Sequence, residues 1–419
     1  MLLKRIESQI GLTGRLAACR QDRRQRSKVR QSFSQMLRQR VFGIRLGYED
    51  CNDFDGRLGQ DPMLKLSVGR LPDGGQALAS QPTLSRFENS VTGKDLVRMS
   101  RALVEHFVDA HAGDAVRRIV LDMDATDDPA HGQQELEFFH GYYDRHCFLP
   151  LLVFASVDCG SGPALEQELI AAVLRPGNKH AGHRAAGVLG RIVARLGRAF
   201  PEAEIVLRGD AGFALPEVYD LCESIGIDYV LSLAKNSRLV GLAEPLMQQA
   251  RLRCSELERT VREFGEIRYA AQSWPRARRV IVKAEVMPAY GDNPRFVVTN
   301  MVGGDPKALY SFYTDRGDVE NRIKELKNDL SSGRTSCHRF LANQFRLLMH
   351  AAAMIVMQRV RRLLASGGLT QMARLQVGSL RVKLLKVGAR VIQTSRKIWL
   401  KLPTSYPYQK AWETILLQT

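Results

Sequence analysis

Between residues 117 and 233, short β-branched runs alternate with stretches of helical spacing, and this alternation constrains the chain most. "RRIVLDMDAT" (117–126) predicts a strand. "FFHGYYDRH" and "FLPLLVFASVD" predict two more, as hairpin partners. Helices are predicted at 163–174 and 184–199. A strand over "AEIVLRGD", a helix over "LPEVYDLCESIG" and a strand over "IDYVLSL" follow. Strands separated by helices pair in parallel, so the chain reads as α/β with a mixed sheet and flanking helices.

The flanks differ in character. Residues 1–112 read as helical. "SKVRQSFSQMLRQRVFGIRLG" (27–47) spaces Phe33, Met36, Leu37, Val41 and Ile44 as a helix does, and another amphipathic helix is expected over 93–111. From 236 to 312, "EIRYAAQSWPRARRVIVKAEVMP" and "PRFVVTNM" are rich in β-branched residues and read as an inserted β-rich segment. A long helix over 340–365 and a basic tail close the chain. The expected divisions are 1–112, 113–235, 236–312, 313–365 and 366–419.

Charge is segregated. The net charge is +17. Residues 1–45 hold 12 Lys and Arg against 2 Asp and Glu, and residues 321–419 hold 18 against 3. The stretch between them is acidic. Basic ends suit phosphate backbones, where released counterions drive affinity. An acidic middle repels DNA unless its carboxylates hold metal. Residues 1–112, which include one of these basic ends, are therefore expected to bind DNA. The seven cysteines form no CxxC pair, which excludes a zinc ribbon and fits a reducing cytoplasm, beside the nucleoid. "LLMHAAAMIVMQ" (347–358) is too short to span a bilayer and reads as a buried helix, so no membrane partner is expected.

The acids fall at informative places. Asp122 and Asp124 alternate along the first strand and point the same way. Asp210, in "RGDAGF", ends a later strand, the edge where open α/β sheets bind ligands. Glu320 lies in "YTDRGDVENRIKELK" (313–327). At about 100° per residue, Tyr313, Arg316, Glu320 and Lys327 share one helix face if the helix holds throughout. The bland alternative is a salt-bridged surface helix with an Arg316–Glu320 i,i+4 pair. Asp127 and Asp128, in "TDDPAHG", read as turn residues. Asp210 could equally cap a helix, and Asp122 could be structural. Clustered carboxylates need a cation, and oxygen-only ligands favour Mg²⁺ or Mn²⁺.

With these residues in view, the chain resembles bacterial insertion-sequence transposases. Tyr313, Arg316, Glu320 and Lys327 reproduce the spacing of their Y-R-E-K signature. "LDMDAT" resembles their first motif and "LRGDAGF" their second. "RQRVFGIRLGYEDCND", "SQPTLSRFEN" and "DATDDPAHGQQELEFFHGYYD" look like the subgroup called insertion sequence thirteen-eighty. The likeness covers nearly the whole chain, although Met1 falls inside the first amphipathic helix where relatives begin earlier, as in a shortened copy.

The resemblance implies an RNase H-like core with a β-rich insertion before the catalytic Glu. It implies a triad of Asp124, Asp210 and Glu320 holding two Mg²⁺ or Mn²⁺ ions. It implies cleavage of transposon ends and joining of the 3′-OH to target DNA, through a hairpin at the end. Partners would be the inverted-repeat ends and target DNA, with a homodimer in the synaptic complex. Tyr313, Arg316 and Lys327 would contact DNA, and Trp274 would stack on a flipped base, unless it is a core Trp. Without DNA, Arg316 is expected to pair with Glu320. Two alternatives are a catalytically silent DNA-binding derivative and an RNase H-like nuclease without strand transfer.

Overall fold

A computed structural model describes residues 1–73, 75–160 and 167–419. The centre is a mixed sheet. Its first strand, β1 (Arg118–Ala125), pairs antiparallel with β2 (Leu151–Asp158), which pairs antiparallel with β3 (Glu168–Val173). On its other side β1 runs parallel to β4 (Glu204–Gly209), and β4 runs parallel to β5 (Asp228–Leu233).

The β-rich segment does not form a sheet of its own. Its strands β6 (Val261–Tyr269), β7 (Arg278–Met287) and β8 (Arg295–Thr299) extend the central sheet, giving the order β6-β7-β8-β5-β4-β1-β2-β3. The join is the antiparallel β5–β8 pair, in which Leu231 faces Val298. The segment opens with a helix, Ser237–Leu257, capped by the Asn236 side chain on the Leu239 N–H.

One predicted element is replaced. The helix expected at 163–174 is strand β3 over 168–173, and residues 163–166 lie outside the described residues. "ELIAAV" contains good helix formers, but pairing with β2 (Leu152↔Ala172, Leu151↔Val173) outweighs that local preference. The helices Phe33–Leu46, Gly93–Ala110 and Ala185–Ala199 appear where their spacing put them. Ser32 and Gln35 form a capping box on the first of these, and Thr92 and Asp95 on the second.

The sheet separates two cores. On one face Ile119, Leu121 and Met123 of β1 pack with Leu189, Leu196, Val218 and Tyr219 from the helices Ala185–Ala199 and Pro216–Ile225. On the other face Leu152 and Phe154 of β2 pack with the helix Phe340–Ser366 and the N-terminal helices. Asp122 and Asp124 lie opposite Phe154 and Leu152 in register, so they project to this second face. The helix Phe340–Ser366 is long and apolar enough to cross a membrane by length and composition, yet its apolar side chains form this core. The helix Phe33–Leu46 is tied to it by Arg45, whose buried guanidinium donates to the Ala352 and Ala353 carbonyls.

Candidate active site

Strand register brings two acids together. In the parallel β1–β4 pair, Asp122 faces Arg208 and Met123 faces Gly209. The next residues on the two strands are Asp124 and Asp210. Gly209 leaves little space around it, because a Cβ there would lie 3.1 Å from the Leu231 and Phe213 side chains. The chain then turns, with Asp210 Oδ1 accepting the Gly212 N–H at 2.9 Å. Asp210 is thus both the cap of a short turn and a neighbour of Asp124.

The two acids of β1 have separate surroundings. Asp122 is wholly buried and receives both arms of Arg208 at 2.8 Å, with a further bond from Gln167 at 3.1 Å. That is a closed structural pair. Asp124 is only partly enclosed. Burial pushes its pKa up to about 6, opposed by the Arg316 guanidinium and helped by the Asp210 charge.

Arg316 corrects the expected intrahelical pair. Its Nη2 donates to Asp124 Oδ2 at 2.8 Å, and its side chain is buried. Glu320 is exposed instead. The reason is a break in the helix. Tyr313 belongs to Pro306–Thr314, and a second helix spans Gly317–Lys324 after a turn at Asp315 and Arg316. A π-turn over Glu325–Asp329 then shifts the register again. The single face drawn through Tyr313, Arg316, Glu320 and Lys327 therefore does not exist. Arg316 faces inward, Glu320 faces solvent, and Tyr313 packs its ring at 6.1 Å from Tyr310.

Lys327 finds acids that the turn reading set aside. Its Nζ donates to Asp127 Oδ1 at 2.5 Å and to Thr126 Oγ1 at 3.2 Å. Arg145 stands 3.7 Å from the same Asp127. Asp128 is buried. It accepts the Thr335 hydroxyl at 2.8 Å, its other oxygen has no hydrogen-bond partner among the described residues, and burial pushes its pKa up to about 7. Tyr143 also joins the site, its pKa pushed up to about 12 by burial and by the Asp127, Asp124 and Asp210 charges. Nothing in the local pattern of "HGYYD" separates Tyr143 from Tyr142, because only the fold sets which ring turns inward.

Trp274 takes the core alternative. It is 9% exposed, and its ring meets Tyr219 at 5.1 Å and Tyr269 at 5.4 Å, both edge-on. A ring enclosed this way presents no face to a base. Trp274→Ala is expected to cost about 3–5 kcal/mol in chemical denaturation, with DNA affinity unchanged. A stability loss under about 1 kcal/mol with weaker DNA binding would reverse that assignment.

The donor set can be tested against a metal. Asp124 and Asp210 supply only oxygen and repel each other, which suits a hard cation. Here the Arg316 guanidinium takes the neutralising position on Asp124. Among the described residues, no group of three His, Cys, Asp or Glu side chains is gathered, because Glu320 lies apart. The two aspartates fit one ion; a site of three acids needs Glu320 to turn inward.

Two aspartates at the ends of the adjacent strands β1 and β4 make a carboxylate site at one edge of an α/β sheet. The chain matches the family model "Transposase DDE domain group 1" over residues 1–419, and it belongs to that family. It is also similar to a chain in the cryo-EM structure of piggyBac transposase synaptic complex with hairpin DNA. That similarity covers 94% of this chain and 79% of the other, at 11% identity and a TM-score of 0.42. No curated protein matches the chain.

Proposed function

We propose that this DDE transposase cleaves transposon ends and joins the freed 3′-OH to target DNA. Asp124, Asp210 and Glu320 are its acids. Family membership supports the class. The observation that carries the assignment is the β1–β4 register, which sets Asp124 next to Asp210. Bound Mg²⁺ or Mn²⁺, two ions in the full reading, would activate the attacking water or 3′-hydroxyl and stabilise the departing oxygen.

The chain's own residues would do the rest. Asp124 and Asp210 would hold the metal at the sheet edge, with Glu320 joining them when it turns inward. Arg316 would leave Asp124 for a DNA phosphate, for which its planar fork is suited. Lys327 would exchange Asp127 for the backbone near the cut, and Tyr313 would contact the same backbone. The hairpin route and a DNA-bound dimer are part of this proposal and rest on the family likeness.

One observation favours the silent alternative: Glu320 stands in solvent, away from the aspartates. Labelled inverted-repeat ends incubated with Mg²⁺ separate the readings. Nicks at the end boundary, followed by strand-transfer products from pre-cleaved ends, are expected. Tight DNA binding without breaks under Mg²⁺ or Mn²⁺ would establish the silent derivative. Cleavage without strand transfer would establish a nuclease.

A further inference from the structure

A cleft of about 640 Å³ lies in the N-terminal helical region, its lining residues falling between Arg20 and Arg98. One wall is the linker after the helix Leu12–Ala18, and the other is the junction between the helices Gln81–Asn89 and Gly93–Ala110. Six cations line it: Arg20, Arg23, Arg24, Arg86, Lys94 and Arg98. Asp95 is the one acid among its lining residues. Arg23, Arg86 and Lys94 are exposed. Arg24 is held by Asp22, and Arg98 stands 3.8 Å from Asp95.

The cleft contains a built element as well as charge. Arg20 is 8% exposed, and its guanidinium sits 4.3 Å from the Phe33 ring, 4.8 Å from Phe87 and 5.4 Å from Phe345. It donates to the Phe87 carbonyl at 3.2 Å and to Ser90 Oγ at 2.8 Å, while its Nε–H has no hydrogen-bond partner among the described residues. Among the described residues no carboxylate hydrogen-bonds to it, although the Asp95 and Asp22 charges act on it. Burial disfavours its charge, the three ring faces offset part of that cost, and low-dielectric walls focus its positive field. An anion entering the cleft would offset that cost.

We propose that this cleft grips the phosphodiester backbone of duplex DNA, as a holding site separate from the carboxylate site. Six cations gathered on one cleft suit the several phosphates of a strand rather than a single small anion. Phosphate contacts of this kind set register and orientation without reading bases. Arg20 is the fixed point of the row, and the exposed Arg23, Arg86 and Lys94 are its adaptable members. The proposal rests on the reading of this chain as a transposase that acts on DNA.

The test is fluorescence anisotropy of a labelled duplex against the full chain, from about 50 to about 200 mM salt. The variants are the triple R23E/R86E/K94E and a control triple, R191E/R198E/R259E, with the same charge change on exposed residues elsewhere. The cleft triple is expected to bind at least about tenfold more weakly and to lose about three units of log–log salt slope, one per phosphate contact. The control is expected to lose much less of both. Circular dichroism melting guards against a folding defect, and Arg→Lys at positions 23 and 86 should restore the slope. Cleft-triple binding equal to wild type, or an equal loss in the control, would overturn the cleft. Failure of the wild type to bind any duplex would instead overturn the transposase reading.

Discussion

Asp124→Asn is expected to lower Mg²⁺-dependent end cleavage by about 10³-fold while DNA affinity stays within about threefold. The substitution keeps shape and removes a negative charge, so the loss measures charge. A metal-held transition state is worth several kcal/mol, and about 4 kcal/mol corresponds to about 10³ in rate. Asp210→Asn is expected to act alike, because β4 sets it beside Asp124. Asp122 is the contrast. Its two bonds to Arg208 are structural, so Asp122→Ala should lower stability by about 3–5 kcal/mol by leaving a buried guanidinium unpaired. Glu320→Gln decides how the third acid works. Loss equal to that of Asp124→Asn means Glu320 turns inward with DNA. Full activity in Glu320→Gln would remove Glu320 from the triad, and full activity in Asp124→Asn would remove the site.

Glu88→Ala is expected to destabilise the fold by about 3–5 kcal/mol in urea unfolding. Glu88 is wholly buried and receives Arg40 Nε and Arg346 Nε at 2.7 Å each. It joins three parts of the chain: the helix Phe33–Leu46, the helix Gln81–Asn89 and the helix Phe340–Ser366. Burial pushes its pKa up, but Arg40 and Arg346 outweigh this and hold it at about 2, against an ordinary 4.5. A depressed carboxyl stabilises the fold above the unfolded value, and the gain is lost as pH falls from 4.5 toward 2. His350, beside the pair, has its pKa pulled down to about 4 by burial, so its own loss falls earlier, as pH drops from 6.5 toward 4. Stability measured at pH 7, 5 and 3 should therefore fall in two steps. Glu88→Ala should shrink the lower one, which Glu285, also held at about 2, shares, and an unchanged lower step would exclude Glu88 as a source.

The strands carrying Asp124 and Asp210 were legible because alternating β-branched runs between turn residues leave few other folds. The strand at 168–173 was not, since "ELIAAV" satisfies a helix locally and only β2 makes it a strand. The face through "YTDRGDVENRIKELK" was misleading for a related reason. Helical spacing assumes one unbroken helix, whereas this segment is cut at 315–316 and re-registered by a π-turn. Asp127 looked like turn chemistry because its partner, Lys327, is 200 residues away.

What the sequence by itself determined was the kind of chain: an α/β sheet with an acid on each of two strands, basic ends, and a spaced Tyr, Arg, Glu and Lys set. Periodicity and charge are local properties, and local patterns survive without a fold. What only the tertiary structure decided was the pairing: Arg316 with Asp124 rather than Glu320, Lys327 with Asp127, and Trp274 with Tyr219 and Tyr269. Arg316–Asp124, Lys327–Asp127 and Trp274–Tyr219 join residues far apart in the sequence, so only packing brings them together.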